Sequence, residues 1–240
     1  MKAVQLTNGS WVSYCDEEDE PYFPSPHLAH TEPAGLLQVG GSLTPEWLLL
    51  AYHQGIFPWF SEGDPILWWS PDPRTILRPQ AFVCRRSLAK VVRNAGFRVT
   101  SDLAFDAVIR LCSDTRSEEG TWILPEMQSV YRDLHRLGHA HSIEVWQGDQ
   151  LVGGLYGLQL GKVFFGESMF ALVSNASKVA LYHLSQQLAE QGYVMIDCQF
   201  STDHLRSLGA IEVSRQVFLD DLSQAVNETT AWRFQPVIPE

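Results

Sequence analysis

From residue 142 onward the spacing of apolar positions changes several times. Ser142–Trp146 alternates as a strand does, and Gln147–Gln150 turns it into a second strand-like run, Leu151–Leu160. Gly161–Lys162 predicts a tight turn, and Val163–Phe165 the return strand of a hairpin. Asn175–Gln191 has apolar residues at helical spacing and closes on Gly192, the pattern of an amphipathic helix with its terminating glycine. Tyr193–Ile196 then reads as a strand, Asp203–Leu208 as a short helix ended by Gly209, and Ile211–Phe218 as a last strand before a final helix. Upstream, Pro45–Gln54 predicts a helix capped by Ser42 or Thr44, with Pro45 in its first turn and Gly55 just past its end. Thr75–Val83 predicts a strand, Leu88–Ala95 a helix capped by Ser87, and Phe97–Thr100 a strand. Helices over Asp102–Cys112 and Pro125–Leu137 flank a polar loop, Thr115–Gly120. Strands and helices mixed without strict alternation give the fold class α+β.

Two places in this pattern are chemically costly. Glu167 follows the hairpin among Phe165, Met169 and Phe170, and Asp197 follows Val194, Met195 and Ile196. A carboxylate in an apolar run must be solvated, paired or used. Glycines at 153, 154, 157, 161 and 166 crowd the same hairpin, which marks a bulge or a close approach of another backbone or ligand. Residues Gly55–Pro73 are too rich in Gly and Pro for one regular element. They nevertheless hold Phe57, Trp59, Phe60, Trp68 and Trp69, either as core or as stacking platforms on loops.

Charge narrows the functional classes. The chain of 240 residues has 17 Lys and Arg against 28 Asp and Glu, a net charge of −11, which argues against indiscriminate nucleic-acid binding. Yet Arg74, Arg78, Arg85, Arg86, Lys90, Arg93 and Arg98 form a run with no acid in it, so a basic field on an acidic protein points to one defined polyanion site. On the helix over Leu88–Ala95, Arg86, Lys90 and Arg93 fall on one face, read either as a solvated face or as phosphate contacts. No apolar run approaches the roughly 20 residues of a membrane span, and the N-terminal residues lack a signal-peptide core, so a cytoplasmic protein is expected. Cys15, Cys84, Cys112 and Cys198 are too scattered for a zinc pair or a disulfide framework. His135, His139 and His141 lack further ligands in the sequence, so no metal is expected.

The order of elements after residue 142 resembles the GNAT acyltransferase architecture, in which a splayed pair of central strands holds an acyl donor. That architecture binds acyl-CoA at a glycine-rich turn leading into the helix after the hairpin, where backbone amides hold pyrophosphate. Here the junction is ALVSNASK, Ala171–Lys178, with no glycine. The acyl group is therefore expected on another carrier, and the basic run suggests a nucleic acid. A CoA-dependent acetyltransferase and a non-catalytic tRNA-binding module remain rivals at this point.

The motifs GIFPWF (Gly55–Phe60), WWSPDPR (Trp68–Arg74), EEGTWI (Glu118–Ile123), LGHAHSIEVW (Leu137–Trp146), LVGGLYG (Leu151–Gly157), GESMF (Gly166–Phe170), NASK (Asn175–Lys178) and IDCQ (Ile196–Gln199) together resemble the leucyl/phenylalanyl-tRNA–protein transferase family. They run in the family's order from about Gly35 to Phe218, while residues 11–34 and the tail after Leu222 match poorly. The resemblance implies a small N-terminal α/β domain over residues 1–72 and a GNAT-like catalytic domain over 73–240, working without metal or coenzyme; a monomer is expected. It implies transfer of Leu or Phe, and Met less well, from aminoacyl-tRNA to proteins with N-terminal Arg or Lys, marking them for N-degron-dependent degradation. It implies that Gln199, polarised by Asp197, handles the acceptor's amine, and that Glu167, with Asp197, supplies charge for the acceptor's cationic side chain. Leu155, Phe164, Met169 and Ile196 are the expected slot for the transferred side chain. Trp59 and Trp122 are expected against the terminal adenosine or the aminoacyl group, with Tyr52 hydrogen-bonding nearby, and Arg85, Arg86, Lys90 and Arg93 on acceptor-stem phosphates.

Overall fold

The computed structural model describes residues 2–115 and 122–239. In chain order the first elements are β1 (Lys2–Gln5), β2 (Trp11–Cys15), β3 (Leu36–Gly40), α1 (Pro45–His53), β4 (Phe57–Pro58), β5 (Leu67–Trp69), β6 (Arg74–Leu77), α2 (Arg86–Asn94), β7 (Arg98–Ser101) and α3 (Phe105–Asp114). There follow α4 (Pro125–Arg136), β8 (Ala140–Gln147), β9 (Gln150–Leu160), β10 (Val163–Ala171), α5 (Ala176–Glu190), β11 (Met195–Gln199), α6 (Asp203–Ser207), β12 (Ile211–Val213) and α7 (Arg215–Ala225). The α+β class holds. Five strands, in the order β1-β2-β3-β5-β4, make a first sheet, and seven, in the order β12-β6-β11-β10-β9-β8-β7, make a second. Trp69 ends the last strand of the first sheet and Arg74 begins the first strand of the second.

The second sheet is buried on both faces, and the period of two along its strands divides the core. Val163 and Phe165 of β10 and Met195 of β11 join side chains of α1, α3 and α4 on one face. Phe164 and Ile196, adjacent to them in sequence, join Leu88 of α2 and Leu181, Leu184 and Leu188 of α5 on the other. The glycines of β9 let α5 come close. A Cβ on Gly153 would lie 2.4 Å from Ala176 Cβ, so the helix start rests directly on the strand. Gly161, at φ +55°, makes the hairpin turn and leaves no room for a side chain, since a Cβ there would lie 2.1 Å from the carbonyl oxygen of Ala225.

Several element ends differ from the sequence expectation for identifiable reasons. The strand expected over Ile211–Phe218 stops at Val213, because the Ser214 side chain accepts the Val217 N–H and starts α7 at Arg215. The strand expected over Thr75–Val83 runs Arg74–Leu77 and gives way to a turn of 3₁₀ helix that begins at Pro79, which has no N–H for a ladder. The return strand expected to stop at Phe165 continues to Ala171. Asp102 is not helical; it sits at φ +60° and α3 begins at Phe105. Ser87 lies inside α2, whose start has no side-chain cap. Residues 116–120 of the expected polar loop lie outside the described residues.

The segment after α7 is tied across the second sheet. Val237 pairs with Val99 of β7. Trp232 stacks on His141 at 4.2 Å and on Phe164 at 5.6 Å, and donates its indole N–H to Ser101 Oγ at 3.0 Å. Gln187 of α5 exchanges two hydrogen bonds with the Gln235 backbone.

Gly153→Ala is expected to push α5 off β9 and to lower stability by about 1–3 kcal/mol, the usual cost of overpacking. A lower urea midpoint with an unchanged slope is the expected result.

Candidate active site

Strands β10 and β11 run parallel and pair only over Val163–Phe165 and Met195–Asp197. Beyond that they part, and each is irregular where it does so. The register of β10 on β9 shifts between Gly166 and Ser168, which leaves Glu167 as the bulged residue. The register of β11 on β6 shifts between Asp197 and Gln199, and Gln199 takes φ +63°. Bulges re-aim side chains at strand ends, and these two aim Glu167 and Gln199 into the same gap. A cavity of about 380 Å³ fills it.

Glu167, Gln199, Trp59, Trp122, Leu155, Phe164, Met169 and Ile196 all line this cavity, so eight of the expected site residues converge there. The aliphatic part of the wall also includes Leu181 and Leu184, three residues apart on α5, whose helical spacing was the available signal. Phe200 lines the mouth, 39% exposed, with its ring 5.5 Å from that of Trp59, itself 43% exposed. Its only mark in the sequence is adjacency to Gln199.

Two expected residues take other places. Tyr52 does not line the cavity. It is buried behind Glu167 and donates its hydroxyl to Glu167 Oε1 at 2.7 Å. Tyr131 on α4, which no sequence signal picked out, donates to Glu167 Oε2 at 2.9 Å. Gln199 Nε2 donates to Oε1 at 3.0 Å. Three donors therefore hold one buried carboxylate. Burial pushes the Glu167 carboxyl up to about 7, even though hydrogen bonds from Tyr52 and Tyr131 pull the other way. Burial, together with the neighbouring Glu167 charge, holds both tyrosines well above the ordinary phenol range, so they stay neutral.

Asp197 is not in the cavity wall either. Its Oδ1 accepts Arg74 Nε at 2.9 Å and its Oδ2 accepts Arg74 Nη2 at 2.6 Å, with both side chains at most 1% exposed. Such a paired, buried carboxylate does not serve an incoming cation. Asp197 reaches the site through the backbone instead, by accepting the Gln199 N–H at 3.0 Å and so fixing the left-handed turn that aims the amide. With Gln199 Nε2 given to Glu167, the amide oxygen is left to accept from a ligand. This corrects the expectation that Asp197 polarises Gln199 directly or helps to bind a cationic side chain.

The basic run is also divided. Arg74 is buried, Arg78 pairs with Asp221, and Arg98 lies over the Trp146 ring at 4.9 Å. Arg85, Arg86, Lys90 and Arg93 are at the surface, at the start of α2 and along it, and among the described residues none has an ion-pair partner. α2 packs on α5, the helix that supplies Leu181 and Leu184 to the cavity. Away from this site, Asp102, His135 and His141 come together in the described residues. His135 Nδ1 lies 2.8 Å from the Ala140 carbonyl oxygen and His141 Nδ1 lies 2.8 Å from Asp102 Oδ2.

Known proteins share this sequence over most of its length. The family model described as leucyl/phenylalanyl-tRNA protein transferase matches residues 76–223, and that of the family's N-terminal domain matches residues 41–72. A leucyl/phenylalanyl-tRNA–protein transferase of Chromohalobacter salexigens is 56% identical over 218 residues, 90% of this chain and 85% of that protein. One from Hydrogenovibrio crunogenus is 56% identical over 211 residues, 87% of this chain and 82% of that protein. Among solved structures, a GCN5-related N-acetyltransferase from Kribbella flavida superposes loosely, with a TM-score of 0.36 and 13% identity over 68% of this chain and 58% of that one.

Asp197→Asn is expected to leave Arg74 charged, buried and half-paired, at a cost of about 3 kcal/mol or more in denaturant unfolding. The double change Arg74→Met with Asp197→Leu is expected to restore much of that stability, because no buried charge is left alone.

Proposed function

The chain belongs to the leucyl/phenylalanyl-tRNA–protein transferase family, whose members move an aminoacyl group from tRNA to protein, and we propose the finer reaction that its site supports. Leu or Phe, and Met less well, is taken from its tRNA and joined to the N-terminal Arg or Lys of an acceptor protein. The single observation that carries this reading is the two-ended cavity. Leu155, Phe164, Leu181, Leu184 and Ile196 make one end apolar, while Glu167 is the only carboxylate among the described residues that line the cavity. An unbranched-at-Cβ apolar side chain fits the first, and the cationic N-terminal Arg or Lys of an acceptor finds its counter-charge at the second. Met169 suits both Leu and Phe, since a flexible thioether packs against either.

The donor ester is already activated, so the protein needs chiefly to orient the two substrates and manage a proton. Gln199 orients the acceptor amine through its amide oxygen. Trp59 and Trp122 pack on the adenosine or the aminoacyl group at the mouth. Arg85, Arg86, Lys90 and Arg93 take acceptor-stem phosphates one helix away from the cavity. In this reading residues 1–72 form an N-terminal domain and residues 73–240 a catalytic domain. The protein acts in the cytoplasm as a monomer, without coenzyme or metal, and its product enters N-degron-dependent degradation.

Radiolabelled Phe-tRNA mixed with a peptide beginning with Arg, and with one identical but beginning with Ala, tests donor and acceptor together. Label is expected on the Arg peptide alone; label on both, or on neither, overturns the acceptor assignment. Neutral replacements at Arg86, Lys90 and Arg93 are expected to weaken tRNA binding and to flatten its dependence on log salt by roughly one unit for each phosphate no longer neutralised. An unchanged slope would remove α2 from the tRNA interface.

A further inference from the structure

Around Glu167 there are more hydrogen-bonding oxygen pairs than hydroxyl protons to fill them. Tyr52 Oη meets Glu167 Oε1, Tyr131 Oη meets Oε2, and the two tyrosine oxygens also meet each other at 2.5 Å. Two tyrosines bring two protons to these three oxygen pairs. When the carboxylate is ionised both protons point at it, and the tyrosine oxygens face each other with none between them. A third proton on Glu167 fills the ring: the carboxyl donates to Tyr52, Tyr52 to Tyr131, and Tyr131 back to Oε2, each residue donating once and accepting once. The tyrosines cannot give up their own protons at ordinary pH, so the ring has two states that differ by one proton held on Glu167. Oε1 takes both Tyr52 and Gln199, whereas Oε2 takes Tyr131 alone among the described residues and keeps a free lone pair.

The transferase reaction has a use for such a store. An acceptor N-terminus has an ordinary pKa near 8, so at neutral pH it arrives mostly as ammonium and must lose a proton before it can attack. Gln199 is an amide and a poor base, and Asp197 is held by Arg74. We propose that Glu167 is the base that removes this proton from the acceptor's α-ammonium, with Tyr52 and Tyr131 as positioning residues whose ring accommodates it. The proposal rests on the transferase reading above and deepens it. One N–H proton of the ammonium passes to Glu167. The freed nitrogen lone pair attacks the ester carbonyl, the C–N bond forms and the bond from carbon to the tRNA terminal oxygen breaks. The second proton lost by nitrogen goes to that oxygen, and the proton on Glu167 leaves to water as product departs.

The charged and titratable groups packed around Glu167 are Tyr52 from α1, Tyr131 from α4, Tyr156 from β9, Asp197 from β11 and Arg74 from β6. Burial raises the Glu167 carboxyl to about 7, the charge of Asp197 adds to the rise, and Arg74 opposes it. The active form is ionised, so transfer rises as pH increases through about 7 and levels off above it.

The test is the pH dependence of the Glu167→Gln penalty in kcat/KM for an Arg-initiated peptide. A base is needed while the acceptor is ammonium and becomes dispensable once the amine is already neutral. The expected penalty is about thirtyfold at pH 6.5 and falls to about fivefold or less at pH 9. A residue that only anchors the acceptor's cationic side chain predicts the opposite, a penalty in KM that holds or grows as Glu167 ionises, and that result overturns the proposal. Tyr131→Phe removes one donor to the carboxylate and is expected to move the acid limb upward by about half a pH unit or more. An equal loss at every pH gives Tyr131 a merely structural role and overturns the ring. Infrared titration of the free protein is expected to show one protonated carboxyl ionising near pH 7 that is missing in Glu167→Gln. Its absence from the wild-type spectrum overturns the proposal whether or not transfer is seen, whereas failure of wild-type transfer with the band present overturns the transferase reading instead.

Discussion

The pair between Arg74 and Asp197 holds the rest of the site in place. Taking two ions out of water is expensive, and a buried pair repays it only with close, two-point geometry and further partners. Arg74 has both. Besides its two bonds to Asp197 it donates to the Gly55 carbonyl, and its guanidinium lies over the rings of Phe57 and Phe218. One side chain on β6 thereby touches the loop after α1, the first sheet, the strand end at β11 and the last helix. Asp197 turns that fixed point into a direction by accepting the Gln199 N–H. The left-handed turn at Gln199, which a residue with a Cβ adopts reluctantly, is held by this bond.

Two carboxylates on adjacent strands thus serve opposite ends, and their surroundings assign them. Asp197 meets a guanidinium and no cavity, so its part is structural. Glu167 meets two phenols, an amide and open space, so its charge is conditional. The distance in sequence between these fates is small: both acids follow short apolar strand runs, and both sit where a strand leaves its register.

Much of the fold could be read from local pattern. The hairpin at Gly161–Lys162 and the helix from Pro45 both depend on signals within a few residues, a turn pair in the first case and a cap with proline in the second. Part of the cavity wall was legible too, since Leu155, Phe164 and Ile196 are apolar residues near an acid in the sequence. What could not be read was pairing across long separations. Arg74 looked like one more cation in a basic run, because its partner lies 123 residues away. Tyr131 carried no mark of its own in the sequence, because only the fold sets its hydroxyl beside Glu167. The end of β12 was misplaced for a local reason, the competition of the Ser214 hydroxyl for a backbone N–H against the β-branched and aromatic residues that follow.

The strand order of the second sheet has a consequence in time. β6 leaves the ribosome early, but its neighbours in the sheet are β11 and β12, more than a hundred residues later, and β7 is bridged by Val237. Pairings of such long range form late, after the entropy of closing the intervening chain has been overcome. The β9–β10 hairpin can form while its surroundings are incomplete, yet its cavity wall stays open to water until α5 and β11 arrive. The gap between β10 and β11 is therefore among the last parts of this protein to exist during its synthesis. Until then the half-built sheet shows an unpaired edge at β10, where a second nascent chain can pair in place of β11.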